Sequence, residues 1–183
     1  LGEEIPKMRK PFFRPFLFSL LLVTACNTAA PKLEEFASEG GNFTIQTPIT
    51  LVEDNQSVDT AVGPIEIHTF TAEDRNAAYV VAYSDYPAEM VAQTDPETLL
   101  NGSRDGAVQN VGGTLISEDT IDLNGNPGRA LVIDAETGDG EKATVSANLY
   151  LFENRLYQVL VVVPKGEEDK VDVEGFLSSF SVQ

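Results

Sequence analysis

From Phe43 onward, apolar and polar positions alternate with the two-residue period of β-strands. Phe43-Thr44-Ile45 opens the series and Ile65-Glu66-Ile67-His68 continues it. Ala77 to Tyr83 then sets Tyr79, Val81 and Tyr83 on one face against Ala78, Val80 and Ala82 on the other. Further along, Leu115 to Leu123 and Arg129 to Asp134 flank Asn124-Gly125, a pair suited to the positive φ angles of a tight hairpin. Thr137 to Gly140 marks a second turn, after which Ala143, Val145, Ala147, Leu149 and Leu151 alternate with Thr144, Ser146, Asn148 and Tyr150. Glu153-Asn154 turns the chain again. The strand Leu156 to Val163 is apolar on both faces apart from Gln158, so it demands a layer of structure on each side of its sheet.

Two stretches carry the helical period instead. Thr94 or Asp95 caps a helix with Pro96 in its first turn, Glu97 near the positive end of the dipole, and Leu100, Ala107 and Val111 facing inward. Gly102 and Gly106 each cost about 1 kcal/mol against alanine, so this helix depends on tertiary packing; it ends at Gly112-Gly113. Near the C-terminus, Val173, Phe176, Leu177 and Phe180 fall at i, i+3, i+4 and i+7, with Glu167, Glu168 and Asp169 at the helix start. The predicted class is α+β, an antiparallel sheet of about six to eight strands with a mid-chain and a C-terminal helix against it.

A length of 183 residues suits one domain with a short appendage, and 42% apolar with 22% charged residues is a globular composition. The charge narrows the partners. Twelve basic residues against 29 acidic ones leave a formal charge of -17, which repels nucleic-acid phosphates. One cysteine and one histidine provide no disulfide framework, no cysteine cluster for zinc and no all-histidine metal site.

The charge is also uneven along the chain. Lys7, Arg9, Lys10 and Arg14 precede the apolar run Phe16 to Ala25, the order of a secretory signal, and Met8 stands where translation would begin. Ten helical residues span about 15 Å, half of a bilayer core near 30 Å, so the run engages a translocon without remaining as a transmembrane helix. It ends in Val23-Thr24-Ala25-Cys26, which resembles the lipobox of bacterial lipoproteins. A thioether to diacylglycerol requires a thiol at that position, and small residues before it admit the peptidase. The resemblance implies that residues 1–25 are removed and that Cys26 becomes the acylated first residue. Several acyl chains, each CH₂ worth about 0.8 kcal/mol when buried, then fix the protein stably to a membrane. The first 25 positions hold four of the 12 basic and two of the 29 acidic residues, so the remaining 158 carry 8 against 27. Such a body resists adhesion to anionic headgroups, leaving the anchor to hold it. Residues 26–41, with Ala29, Ala30, Pro31, Ser38, Gly40 and Gly41 around a small acidic cluster, read as a tether, and 42–183 as the globular domain.

Within that domain, four segments carry a further resemblance. They are Asp85-Tyr86-Pro87 closing a strand, Asn126-Pro127-Gly128-Arg129 opening one, Asn154-Arg155-Leu156-Tyr157-Gln158 at a hairpin, and Phe176-Leu177-Ser178-Ser179-Phe180 at the end. In order and spacing, roughly from Phe43 to Val182, they resemble the PsbP-like family, built around the extrinsic photosystem II protein and including small bacterial lipoproteins. The resemblance implies an α/β/α sandwich around a central antiparallel sheet and a mostly non-catalytic role. Photosynthetic members support the oxygen-evolving complex with its calcium and chloride, and others assist photosystem assembly. For this chain it implies an exported, lipid-anchored accessory or assembly factor on the periplasmic or thylakoid-lumen side, with a protein partner such as a photosystem.

Candidate chemistry is sparse. His68, the sole imidazole, shares a strand face with Glu66 and Phe70, and no G-x-S-x-G elbow accompanies it. The run Asp134-Ala135-Glu136-Thr137-Gly138-Asp139-Gly140-Glu141 puts four carboxylates on one hairpin, three or four oxygen ligands for a weak calcium site; it departs from the EF-hand spacing, and a solvated hairpin turn is the preferred account. Tyr79, Tyr83, Tyr86, Tyr150 and Tyr157 suit a core, a sheet edge or an interface. Arg129 and Arg155 are expected to pair with nearby acids. The expected function is therefore a non-enzymatic lipoprotein; the alternatives are a ligand- or calcium-binding module, and a hydrolase using a carboxylate pair.

Overall fold

The alternating stretches become hydrogen-bonded ladders in the computed structural model, which describes residues 33–60, 63–136 and 140–183. The strands are β1 (Glu34–Ser38), β2 (Phe43–Thr47), β3 (Val52–Thr60), β4 (Gly63–Glu73), β5 (Ala78–Asp85), β6 (Thr114–Leu123), β7 (Asn126–Glu136), β8 (Lys142–Phe152), β9 (Arg155–Pro164) and β10 (Ser181–Val182). Helices α1 (Ala88–Gln93) and α2 (Pro96–Asn110) lie between β5 and β6, and α3 (Val173–Ser178) precedes β10. Among the described residues, seven strands form one antiparallel sheet in the order β3-β4-β5-β9-β8-β7-β6, and a second sheet has the order β1-β2-β10.

The strand that is apolar on both faces, β9, occupies the centre of the large sheet, and its alternate side chains enter two separate cores. Leu156, Leu160 and Val162 point to the face covered by α2, where Leu100 and Ala107 pack with Leu131, Ile133, Val145 and Leu149. Tyr157, Val159, Val161 and Val163 point to the other, where Phe43 and Ile45 of β2 and Phe176 of α3 meet Phe70, Val81 and Tyr79. Aromatic rings fill much of this second core: Phe43 meets Phe70 edge-on at 5.3 Å between centroids, and Tyr150 stacks on Phe180 at 5.9 Å.

Helix α2 begins as predicted. Asp95 caps it by accepting from the Glu97 amide at 3.0 Å, Pro96 takes the first helical position, and the chain leaves through Gly112 with φ of 60°. An ion-pair chain fastens it to the sheet. Arg129, only 5% exposed, reaches Glu97 on α2 and Glu118 on β6 at 2.9 Å, and Glu118 accepts in turn from Arg104 at 3.0 Å.

Three expectations change. The C-terminal helix is short: Glu168–Lys170 form a separate 3-10 turn, and α3 starts only at Val173, capped by Asp172, which accepts from the Gly175 amide at 2.9 Å. The Glu168 carboxylate is drawn away from any helix start, accepting from the Gly166 amide at 2.7 Å and from Thr144 at 3.1 Å. Phe180 still reaches the core, but past the helix, as the chain enters β10. Within the stretch expected to be a tether, residues 34–38 form β1, because pairing with β2 and the partial burial of Phe36 order a segment with almost no apolar period; residues 26–32 lie outside the described ones. Finally, α2 covers one face of the large sheet as expected, and α3 on the other is joined by the small sheet, a covering layer that was not expected. What stands is an α+β fold of antiparallel sheets with a few helices.

The two edges, β3 and β6, were charged rather than apolar stretches. Val52 and Ile116 are exposed there, but Glu53, Asp54 and Asp59 on one edge and Glu118, Asp119 and Asp122 on the other discourage pairing with a second sheet.

Glycine substitutions separate local from tertiary demands. A Cβ at Gly102 or Gly106 meets nothing within 4 Å, so Gly102→Ala and Gly106→Ala are each expected to stabilise the protein by about 0.5–1 kcal/mol. At Gly128 a Cβ would stand 2.4 Å from the Leu149 carbonyl oxygen, so Gly128→Ala is expected to destabilise by about 1–3 kcal/mol. Urea unfolding midpoints of the three variants check both signs.

Candidate functional site

Strand register lines up residues that are far apart in sequence. Asn55, His68, Tyr83, Tyr157 and Tyr150 are successive cross-strand neighbours on β3, β4, β5, β9 and β8, a polar and aromatic row across the sheet. The His68 and Tyr83 rings stack 4.4 Å apart, and His68 Nδ1 lies 3.5 Å from the Glu53 carboxylate. Toward the strand ends follows the row Asp85, Arg155 and Phe152.

Arg155 is the centre of this region. Its Nε donates to one Asp85 oxygen at 2.6 Å, one terminal nitrogen donates to the other at 2.7 Å, and the second terminal nitrogen donates to the Gly40 carbonyl at 3.0 Å. The guanidinium also lies 4.5 Å from the Tyr83 ring centroid. Beside it, the buried Tyr157 hydroxyl donates to the Gly41 carbonyl at 2.7 Å. One arginine and one tyrosine thus clamp the β1–β2 turn to the start of β9 and the end of β5. Asn154 braces the same end, its amide donating to the Tyr86 carbonyl while the Tyr86 N–H donates back to Asn154, both at 2.8 Å.

Electrostatics follow from these contacts. The hydrogen bonds from Arg155 hold the Asp85 carboxyl below its ordinary range, and Asp85 holds the Arg155 guanidinium protonated more firmly still. Burial pushes the phenols of Tyr157, Tyr83, Tyr150 and Tyr79 above their ordinary value, since a phenolate would lose its hydration.

Next to this clamp opens a polar cleft of about 540 Å³, bounded by Asn42, Asp85, Asn126, Glu153, Asn154 and Arg155. Asn42 and Glu153 hold left-handed backbone conformations, with φ of 52° each, the cost of two tight turns at the rim. Amide and carboxylate groups from two turns and two strand ends can offer donors and acceptors to a polar partner, while the Arg155 charge is already committed to Asp85. The chemistry available is hydrogen-bonded recognition.

The sequence-derived candidates are scattered by comparison. Asp134 pairs with Lys165 Nζ at 2.6 Å, Glu136 ends β7 opposite Lys142, and Glu141 lies just before β8; Asp139 and the lipidation residue Cys26 fall outside the described residues. Among the described residues, no three acidic, histidine or cysteine side chains gather where they could hold a metal ion. Tyr79, Tyr83, Tyr150 and Tyr157 belong to the core, and Arg129 and Arg155 pair with acids as expected. By contrast, the four segments quoted for the PsbP-like resemblance draw together: Asp85, Asn126 and Asn154-Arg155 line one cleft, and the chain after Phe180 runs into it at Val182 and Gln183. Sequence reasoning missed the role of Gly40, Gly41 and Asn42, a turn-like tripeptide at the boundary between the supposed tether and the domain.

Known proteins add the frame. No family model matches the sequence, nor does any curated protein at a significant level. The solution structure of cyanobacterial PsbP from Synechocystis sp. PCC 6803 superposes with a TM-score of 0.54 and 14% identity, covering 88% of this chain and 99% of that one. The fold is PsbP-like. A crystal structure of a Pseudomonas aeruginosa protein of unknown function superposes with a TM-score of 0.42 and 11% identity over 75% of this chain and 86% of that one. Asp85, Arg155, Tyr157 and Phe180 from three of the quoted segments take part in holding the small sheet to the large one, whereas Arg129 of the fourth ties α2 to β6.

The clamp predicts a pH signature. A carboxyl whose pKa is depressed in the folded state adds stability above its unfolded pKa and loses it as the pH falls through the folded value. Asp85→Asn and Arg155→Gln are therefore each expected to cost about 1 kcal/mol at neutral pH, a figure held down by partial solvent exposure, with the gap to the parent protein closing under acid conditions. The raised tyrosines give the opposite limb, stability being complete below about pH 10 and falling as the phenols of the unfolded chain ionise. Denaturant titrations across acid and alkaline pH, with phenolate absorbance followed on the alkaline side, check both limbs.

Proposed function

We propose that this chain is a non-enzymatic accessory protein of a membrane complex, exported and held at the periplasmic or thylakoid-lumen surface by a lipid on Cys26. The observation that carries the reading is the likeness to cyanobacterial PsbP over nearly the whole of both chains. The lipobox-like Val23-Thr24-Ala25-Cys26 supplies the anchor, and the strongly acidic body favours a basic or cation-bridged contact surface on the partner. The state of the reactive side chains agrees with a non-enzymatic role. His68 is engaged with Tyr83 and Glu53, and Arg129 and Arg155 are taken up by internal pairs. Among the described residues no helix is long and apolar enough to cross a membrane. An α/β/α arrangement about the large sheet belongs to the same reading, with the polar cleft beside Arg155 as a place for a partner's polar segment.

The test has two arms. Mass spectrometry of the protein from native membranes is expected to find a diacylglyceryl group on Cys26 as the first residue, and Cys26→Ser is expected to move the protein into the soluble fraction. An unmodified thiol with residues 1–25 still attached would overturn the anchor. Co-purification in mild detergent is expected to recover a defined membrane complex, and repeated recovery of the protein alone would overturn the accessory role.

A further inference from the structure

At the opposite end of the strands from Arg155, where Ala78 pairs with Val162, the acidic surface gives way to an open cleft of about 620 Å³ rimmed by Arg75, Lys142, Lys165 and Lys170. Glu141 and Glu167 also line it, so cations outnumber acids there, although acidic residues outnumber basic ones 29 to 12 in the whole chain. Lys165 reaches Asp134 at 2.6 Å and Lys170 pairs with Glu167. Arg75 and Lys142, both exposed, form no ion pair among the described residues. Two cations with no ion pair among the described residues, at one concave site in so acidic a chain, point to an anionic occupant.

The backbone holds the rim in place. Asp74 accepts from the amides of Asn76 and Ala77 at 2.7 and 2.9 Å, which fixes the tight turn that presents Arg75. The Lys165 N–H donates to the Lys142 carbonyl at 2.9 Å, tying the last residues of β9 to the first of β8. Glu168 is turned to the Gly166 amide and Thr144. A second cleft of about 320 Å³ adjoins, sharing Arg75, Glu141, Lys142 and Pro164, so an occupant has room beyond its charged group.

We propose that this cleft is a binding site for a phosphate-class oxyanion, with Arg75 supplying a planar two-pronged donor and Lys142 a point charge, while the ion-paired Lys165 and Lys170 frame the opening. It is independent of the accessory role. The oxyanion's source is either a soluble phosphate compound or an anionic lipid headgroup at the membrane.

Amide NMR spectra of the full chain in detergent, titrated with inorganic phosphate and pyrophosphate against chloride of equal ionic strength, test the site. Nanodiscs of phosphatidylcholine with and without phosphatidylglycerol test the headgroup. Saturable shifts confined to residues around Asn76, Lys142 and Lys165 are expected. Arg75→Gln or Lys142→Gln should weaken them by about tenfold or more, the loss of one charge-assisted hydrogen bond, with unchanged spectra elsewhere showing that both variants fold. Shifts with the free anions identify a soluble ligand, and shifts only with phosphatidylglycerol identify a headgroup. Absence of saturable shifts in every arm, or shifts that both variants leave intact, would overturn the proposal.

Discussion

A β-strand with apolar side chains on both faces must be shielded from water on both, and β9 is such a strand at the middle of the large sheet. Each of its faces buries several large side chains, each worth roughly 1.5–3 kcal/mol when removed from water. The two coverings follow from that demand. On one side, α2 closes over β7 and β8, its weak glycine-bearing sequence compensated by Leu100, Ala107 and the ion pairs through Arg129. On the other, no single helix is long enough, and the chain brings back two distant segments, β2 near its start and α3 with β10 at its end.

Joining those distant segments creates the problem that Arg155 solves. A three-stranded sheet laid on a seven-stranded one is held by apolar contact, which is weakly directional, so orientation falls to polar groups at the rim. Arg155 and Tyr157 reach the Gly40 and Gly41 carbonyls, and Asn154 braces Tyr86. The same rim forms a polar cleft, so the place most constrained by architecture is also a place where hydrogen-bonding groups converge. The other end of the strands has a different character, with cations clustered on turns fixed by backbone hydrogen bonds. The strands thus separate a latch from a charged opening.

Local periodicity made most of the large sheet legible. Turn chemistry was plain at Asn124-Gly125, where both residues take positive φ, and at Glu153. Pro96 marked the start of α2, with Asp95 rather than Thr94 serving as the cap, and the family-like segments pointed to the rim that the structure assembles. Where the reading failed, the signal itself was missing. β1 has one substantial apolar side chain, Phe36, and is ordered by pairing with β2. β3 is exposed from Val52 to Asp59 and carries no alternation to detect. The C-terminal stripe was real in its packing but not in its backbone, because Phe180 reaches the core equally well from an extended residue as from a helical one.

The amino-acid order alone determined the acidic charge, the strand and helix periods and the need to cover two faces, since each of these is a property of the chain's composition or of neighbours along it. Tertiary structure decided what covers the second face, the union of Asp85, Gly40 and Arg155 in one clamp, and the gathering of Arg75, Lys142, Lys165 and Lys170 at one opening. Those groups lie tens of residues apart, and only strand register, fixed by burial of alternate side chains, brings them within reach of one another.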